Sequence, residues 1–203
     1  MRTDPFSDVL AFLLGNTPDH ASLGALRYGF VALFAALLVA SALIARAAWR
    51  RDPAQRSTAN VWTWLFRVLM GSMWFQGAIW KLPLPVSGGL QYWTGQMAEN
   101  AAFPFYAGLV RNLILPNMAL FDPLVLVAEL GLAVSFMLGV AIRPVAVLGV
   151  LYALGLWIGL YRHPAEWPWE YIFIAIVQGQ FALCQAGRSL GIDALRRPGQ
   201  SRA

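Results

Sequence analysis

The stretch from Arg67 to Lys81 constrains the chain most, because it is an apolar run with a cation at each end and none between. The two charges are fourteen residues apart, close to four helical turns. On an α-helix they face nearly the same side, about 21 Å apart along the axis. Met70, Trp74 and Ala78 fall on that side between them. Lys81 can reach a membrane surface, but Arg67 comes well after the start of the apolar run. A charge at that depth costs roughly 3 kcal/mol and faces a partner or a wet cavity. Something elsewhere in the chain must answer this face.

The run is one of several. Hydrophobic residues make up 59% of the 203 and charged residues 12%, against about 25% in an average soluble domain. That composition describes an all-α polytopic membrane protein in a lipid bilayer. A net charge of +5 raises nucleic acid as a partner, but the basic residues flank the apolar runs, which reads as topology rather than phosphate binding. Phe6, Val9, Leu10, Leu13 and Leu14 form a helical stripe suited to an interfacial helix. Tyr28 to Ala45 is uncharged for eighteen residues, about 27 Å of helix. Cleavage as a signal peptide is the competing reading, since Ala45-Arg46-Ala47 loosely resembles a cleavage site. The run starts late, however, and follows Asp4, Asp8 and Asp19 rather than a basic cluster, which favours an uncleaved helix.

The second helix is expected over Asn60 to Trp80. A weakly charged outer loop, 82–122, follows; Leu82-Pro-Leu-Pro85 cannot continue a helix. Within it, Tyr106, Leu109, Val110, Leu113 and Ile114 make an amphipathic stripe that lies against the membrane or caps the bundle. Pro123, after a cap at Asp122, opens the third helix, which runs to Ile142. The fourth covers Val145 to Tyr161 and the fifth Trp169 to Ala186. Nine basic residues (Arg46, Arg50, Arg51, Arg56, Arg143, Arg188, Arg196, Arg197, Arg202) fall on one side. Arg2, Lys81, Arg111 and Arg162 fall on the other, with Arg27 at its boundary. The asymmetry predicts five transmembrane helices, N-terminus out and C-terminus in, as in a bacterial-type cytoplasmic (inner) membrane. Residues 1–59 hold the interfacial segment, first helix and basic loop, 60–195 a four-helix domain, and 196–203 a basic tail. The short loops suggest an up-down four-helix bundle with the first helix added outside.

Glu129 is the one acid inside a predicted span, about 9 Å from its outer end, and Lys81 lies at that same end. The pair is either a proton-active or head-group-binding carboxylate site or an ion pair that fixes register. Arg162, His163, Glu166 and Glu170, beside Trp167 and Trp169, join Lys81, Glu129 and Arg111 at one outer level. They form a candidate site for a small anion or a quinone head group, with His163 able to move protons, or an ordinary solvated turn. Gly131, Ser135 and Gly139 form a small-residue stripe, with Gly149/Ala153 or Gly155/Gly159 as partners. One cysteine, Cys184, excludes iron–sulfur ligation, a structural zinc site and CxxCH haem attachment. The two histidines, His20 and His163, lie outside the spans, so bis-histidine haem does not fit. No flavin motif is present.

Arg67…Gly71…Gly77…Lys81, Glu129-Leu-Gly131 with Gly139…Arg143, Trp167-Pro-Trp-Glu-Tyr171 and the closing Ala186-Gly-Arg-Ser-Leu-Gly-Ile-Asp193 resemble DoxX-type membrane proteins, particularly their DoxD-like branch. The resemblance covers about residues 60–195 and leaves the first helix outside it. It implies a four-helix core and, for that branch, association with thiosulfate:quinone oxidoreductase; other members are accessory parts of redox assemblies. It also implies a role for the tail, with Gly187-Arg188 capping the fifth helix and Asp193 at the inner surface as a partner for Arg67 or Arg143. These three make a structural set of buried charges.

Three functions are open at this point. The first is a membrane subunit of a quinone-linked oxidoreductase acting on a small periplasmic donor such as thiosulfate. Quinone would be its substrate: the head group near Trp80, Lys81 stabilising negative charge, Glu129 and His163 passing protons, and Arg111 and Arg162 drawing in the anion. The second is a non-catalytic anchor or assembly subunit that holds a partner redox subunit, or a second copy of the chain, at the membrane. The third is a small transporter.

Overall fold

The computed structural model describes residues 4–14, 16–21, 23–167 and 169–196. Arg2, Pro168, Arg197 and Arg202, which entered the sequence reading, lie outside them. The described residues are helical or in turns, without strands. Asp4 caps α1 (Pro5–Leu13), accepting from the backbone of Phe6 and Ser7 and from the Ser7 hydroxyl. That hydroxyl is the main reason its carboxyl sits below the usual range. Phe6, Val9, Leu10 and Leu14 are exposed along one stripe, whereas Phe12 turns inward onto Phe34.

After α2 (Pro18–Ala21) come α3 (Leu26–Arg51) and α4 (Thr58–Ala78). Helix α3 outruns the predicted span at both ends, because the arginines and alanines after Ala45 are good helix formers. Ser57 caps α4, which tightens into a 3₁₀ turn, Ile79–Lys81. The expected outer loop is largely helical. It holds α5 (Gly88–Asn100) and α6 (Pro104–Leu109), and a π turn and a 3₁₀ turn then carry the chain into α7 (Met118–Leu138). Helix α7 therefore does not begin at Pro123: the proline lies inside it. Asp122 is buried and accepts from the backbone N–H of Ser87 instead of capping its own helix. Helices α8 (Ile142–Gly159), α9 (Glu170–Leu183) and α10 (Ile192–Arg196) complete the chain.

Three helical stretches are long and apolar enough to cross a membrane: Leu26–Arg51, Pro104–Leu138 and Ile142–Gly159. Helix α4 has 21 residues but carries Asn60, Arg67, Gln76 and three tryptophans. Helix α9 is apolar but has only 14 residues. The closest helix pairs are α4 with α7 and α8 with α9. Phe75, Phe136, Ile142 and Phe181, one from each of these four, join a single core, onto which α3 packs Phe34 and Leu37. Ser41 ties α3 in, donating to the Met137 carbonyl at 2.6 Å and accepting from the Trp64 indole at 3.1 Å.

The small residues serve different contacts from those expected. Gly131 faces open space, and the close approach to α7 is made by Gly71, where an added Cβ would lie 2.6 Å from the Met137 side chain. On α8, Gly149, Gly155 and Gly159 leave room for Gln178, Tyr106 and Met97 rather than for α7.

At the far end of the bundle, α7 stops at Gly139, whose φ of +70 is left-handed and favours glycine. Fully buried Arg67 donates to the Phe136 carbonyl at 2.7 Å and the Ser189 carbonyl at 3.3 Å. Among the described residues Asp193 makes no salt-bridge contact with Arg67 or Arg143, although its charge acts on Arg67. Its oxygens accept from the N–H groups of Ala141 (3.1 Å) and Ile142 (3.2 Å) at the start of α8, so the acid is spent as a helix cap. Nor does Gly187-Arg188 cap α9; that helix ends at Cys184 and the chain turns at Gln185, with φ +48. Gln55 accepts from the Leu190 N–H and donates to the Arg188 carbonyl, clamping the tail from the opposite side.

Arg67→Met is expected to destabilise the detergent-extracted protein by about 2–3 kcal/mol, the cost of losing hydrogen bonds from a charged donor. Asp193→Ala is expected to cost about 1 kcal/mol as a lost cap. Thermal unfolding in mild detergent measures both, and unchanged midpoints would dismiss the tail clamp.

Candidate functional site

The C-terminal end of α4 is built to bring one ammonium into the bundle. The 3₁₀ turn winds the last residues tighter than an α-helix, and Lys81 folds back along the helix to donate to the Gly77 carbonyl at 2.7 Å. Gly77 leaves space for the carboxylate of Glu129, whose Oε2 would stand 3.6 Å from an added Cβ. Lys81 Nζ lies 3.0 Å from that oxygen, with the two side chains 5% and 4% exposed. Nζ also sits over the Trp80 ring, 3.7 Å from its centroid, a favourable place for a desolvated cation. Tyr152 donates to Glu129 Oε1 at 2.8 Å, and Trp74 meets the Tyr152 ring edge to face at 5.2 Å. Glu129 Oε2 is held by the Lys81 ammonium alone among the described residues.

Asp122 precedes Glu129 by seven residues, two turns along the same side of α7. It is fully buried and interacts electrostatically with Lys81. Its Oδ1 has no hydrogen-bond partner among the described residues. Ser87 binds this corner together: it caps α5, donates its hydroxyl to the Trp80 carbonyl at 2.5 Å and gives its N–H to Asp122. Two carboxylates on α7 thus face one ammonium from α4.

No family model, no curated protein and no solved structure matches this chain.

The ion pair forms part of the wall of a cavity of about 260 Å³. Trp74, Trp80 and Trp93 supply aromatic walls, and Leu156, Leu160 and Ile174 apolar ones. Glu166, Glu170 and Tyr171 enter from the turn and the first residues of α9, with Tyr171 donating to Glu166 at 2.9 Å. A second cavity of about 200 Å³ shares Leu90, Thr94, Met97, Tyr152 and Leu156 with the first and continues, almost wholly apolar, between α5, α6 and α7. Helix α5 lines both cavities with Leu90, Thr94 and Met97.

Trp80, Lys81, Glu129, Glu166 and Glu170 therefore share one site. Arg111, Arg162, His163 and Trp169 do not, although they sit at the same level. Arg111 is exposed and donates to the Ala98 carbonyl at 3.2 Å. Arg162 donates to the Ala102 carbonyl at 3.1 Å and lines a separate depression with Trp157 and Tyr161. Both are used to satisfy carbonyls at the end of α5. His163 lies behind Trp93, ring centroids 5.2 Å apart, and Trp169 is exposed. Arg67, Arg143 and Asp193 belong to the opposite end. Sequence reading missed Asp122, Tyr152 and Tyr171. Tyr152 had a legible signal, a phenol within an otherwise apolar α8.

Lys81→Met is expected to cost about 3–5 kcal/mol by stranding a buried carboxylate, and Lys81→Met with Glu129→Leu to recover most of that loss. Unfolding midpoints of the two proteins in detergent measure the difference. A double variant no more stable than Lys81→Met would show that the carboxylate is not stranded.

Proposed function

We propose that the chain is the membrane subunit of a quinone-linked oxidoreductase, with the quinone head group taken up beside Lys81 and Glu129. The observation that carries this reading is a buried, hydrogen-bonded ion pair on the wall of an aromatic cavity. Reduction of a quinone adds two electrons and two protons, so a site for it needs a positive charge near a developing oxyanion and groups that exchange protons. Lys81 supplies the charge. Glu129 and Tyr152 form a hydrogen-bonded acid pair, and Asp122 is a second carboxylate in the same set. The apolar cavity behind Tyr152 suits an isoprenoid tail.

The likeness of the quoted motifs to DoxX-type proteins of the DoxD-like branch supports the same reading and points to thiosulfate as donor. Electrons would reach the quinone directly from the donor or through a partner subunit. The membrane is proposed to be a bacterial-type inner membrane, crossed five times with the C-terminus inside, on the basis of the arginine asymmetry. The alternative, a non-catalytic anchor, draws on the same pair. Lys81 is already satisfied by Gly77 and Glu129, as a pair that only fixes register would be.

The test is reduction of a short-chain quinone by thiosulfate, using the chain purified in mild detergent with whatever subunit accompanies it. Glu129→Gln is expected to lower kcat by about a hundredfold, the scale of a lost general acid–base group, while the unfolding midpoint shows that the protein remains folded. Full activity in Glu129→Gln removes the carboxylate from the chemistry and favours the anchor.

A further inference from the structure

The opposite end of the bundle holds a second concave site that the redox reading does not use. A cavity of about 320 Å³ opens there, lined by Arg143, Arg188 and Arg196, with Gln185 and Asp193. The three arginines come from three segments: the start of α8, the turn after α9, and α10. They converge because Asp193 caps α8 and its N–H bonds the Gly139 carbonyl at 2.9 Å, folding α10 back onto the α7–α8 turn. Among the described residues none of the three forms a salt bridge. Three positive charges against the one carboxylate of Asp193 leave +2, and both oxygens of that carboxylate are already engaged by backbone N–H groups.

We propose that this cavity binds a phosphate ester, supplied by the head group of an anionic phospholipid. Guanidinium groups match phosphate oxygens in two-point hydrogen bonds, and their uncompensated positive charge repels the choline ammonium that a zwitterionic head group carries beside its phosphate. Lipid is the source because the cavity lies at the ends of apolar helices rather than on a soluble face. On α8, Val147, Leu148 and Leu151 are 49%, 63% and 61% exposed and descend from Arg143 and Pro144 along one side, offering a track for acyl chains. Leu183, at the end of α9 beside Gln185, adds to the same apolar rim. Basic pockets between membrane helices bind anionic head groups by this combination.

The test is native mass spectrometry of the purified chain, titrated with phosphatidylglycerol, phosphatidylcholine or inorganic phosphate. The wild-type chain is expected to retain phosphatidylglycerol but not phosphatidylcholine. R143Q/R188Q/R196Q is expected to weaken that binding by about fivefold per arginine, roughly a hundredfold in all. R196Q alone, at an exposed residue with no role in the Asp193 cap, keeps the test valid if the triple variant fails to fold; about a fivefold loss is expected. Phosphatidylglycerol binding unchanged in R196Q and in the triple variant would overturn the site. Arginine-dependent binding of inorganic phosphate without phosphatidylglycerol binding would overturn its assignment to lipid.

Discussion

A cation inside an apolar helix bundle must be answered, and α4 carries two. The answers differ in kind. Arg67 is met by backbone carbonyls of Phe136 and Ser189, Lys81 by the carboxylate of Glu129 and the Gly77 carbonyl. Each answer recruits a piece of chain. Carbonyl acceptors for Arg67 become available because α7 ends at Gly139 and the tail folds back over that end. The acceptor for Lys81 requires α7 to lie against α4, which Gly71 permits by letting the backbones approach. The α4–α7 contact is thus pinned at both ends and notched between them, and α8, α9 and α3 pack around it.

The resulting asymmetry sorts the chemistry. At the Arg67 end the acceptors are peptide carbonyls, which neither titrate nor move without unwinding the tail, so that end is a fixed joint. At the Lys81 end stand the carboxylates of Glu129 and Asp122 and the phenol of Tyr152, and Lys81, Glu129 and Tyr152 border open volume. Helix α5 supplies Leu90, Thr94 and Met97 to the walls of this volume, a use of the long connection that a simple up-down bundle would not require.

Height along the bundle was legible in the sequence; angle around the bundle was not. The Lys81–Glu129 contact followed from two rare charges at the same depth on helices free to be neighbours. The same reasoning grouped Arg111, Arg162 and His163 with them, because depth alone does not say which way a side chain points, and these three turn to the end of α5 and to Trp93. Asp122-Pro123 carries the local pattern of a helix start. What overrode it was Ser87, thirty-five residues away, a partner that no local pattern announces. Arg67 was recognised as structural, but its acceptors are peptide carbonyls, which leave no mark in a sequence. Asp193, the nearest acid by elimination, does act electrostatically on Arg67, but it accepts its hydrogen bonds from the backbone of Ala141 and Ile142. Helices in 82–122 were hidden by prolines and glycines, which break a helical pattern on paper but cap and join short helices here.

On the redox reading, the Lys81–Glu129 pair does more than set register. Burying two ions costs several kcal/mol each before their attraction returns it, and an apolar pair of similar volume often does as well or better. Register between α4 and α7 is already set without it, by Gly71 against Met137 and by Arg67 against the end of α7. What the pair adds is a positive charge and a carboxylate on the wall of an aromatic cavity, where burial of the two side chains strengthens electrostatic effects. Apolar residues would supply the packing and none of that chemistry. On that reading, the cost of burial is offset by what the pair does for a ligand in the cavity.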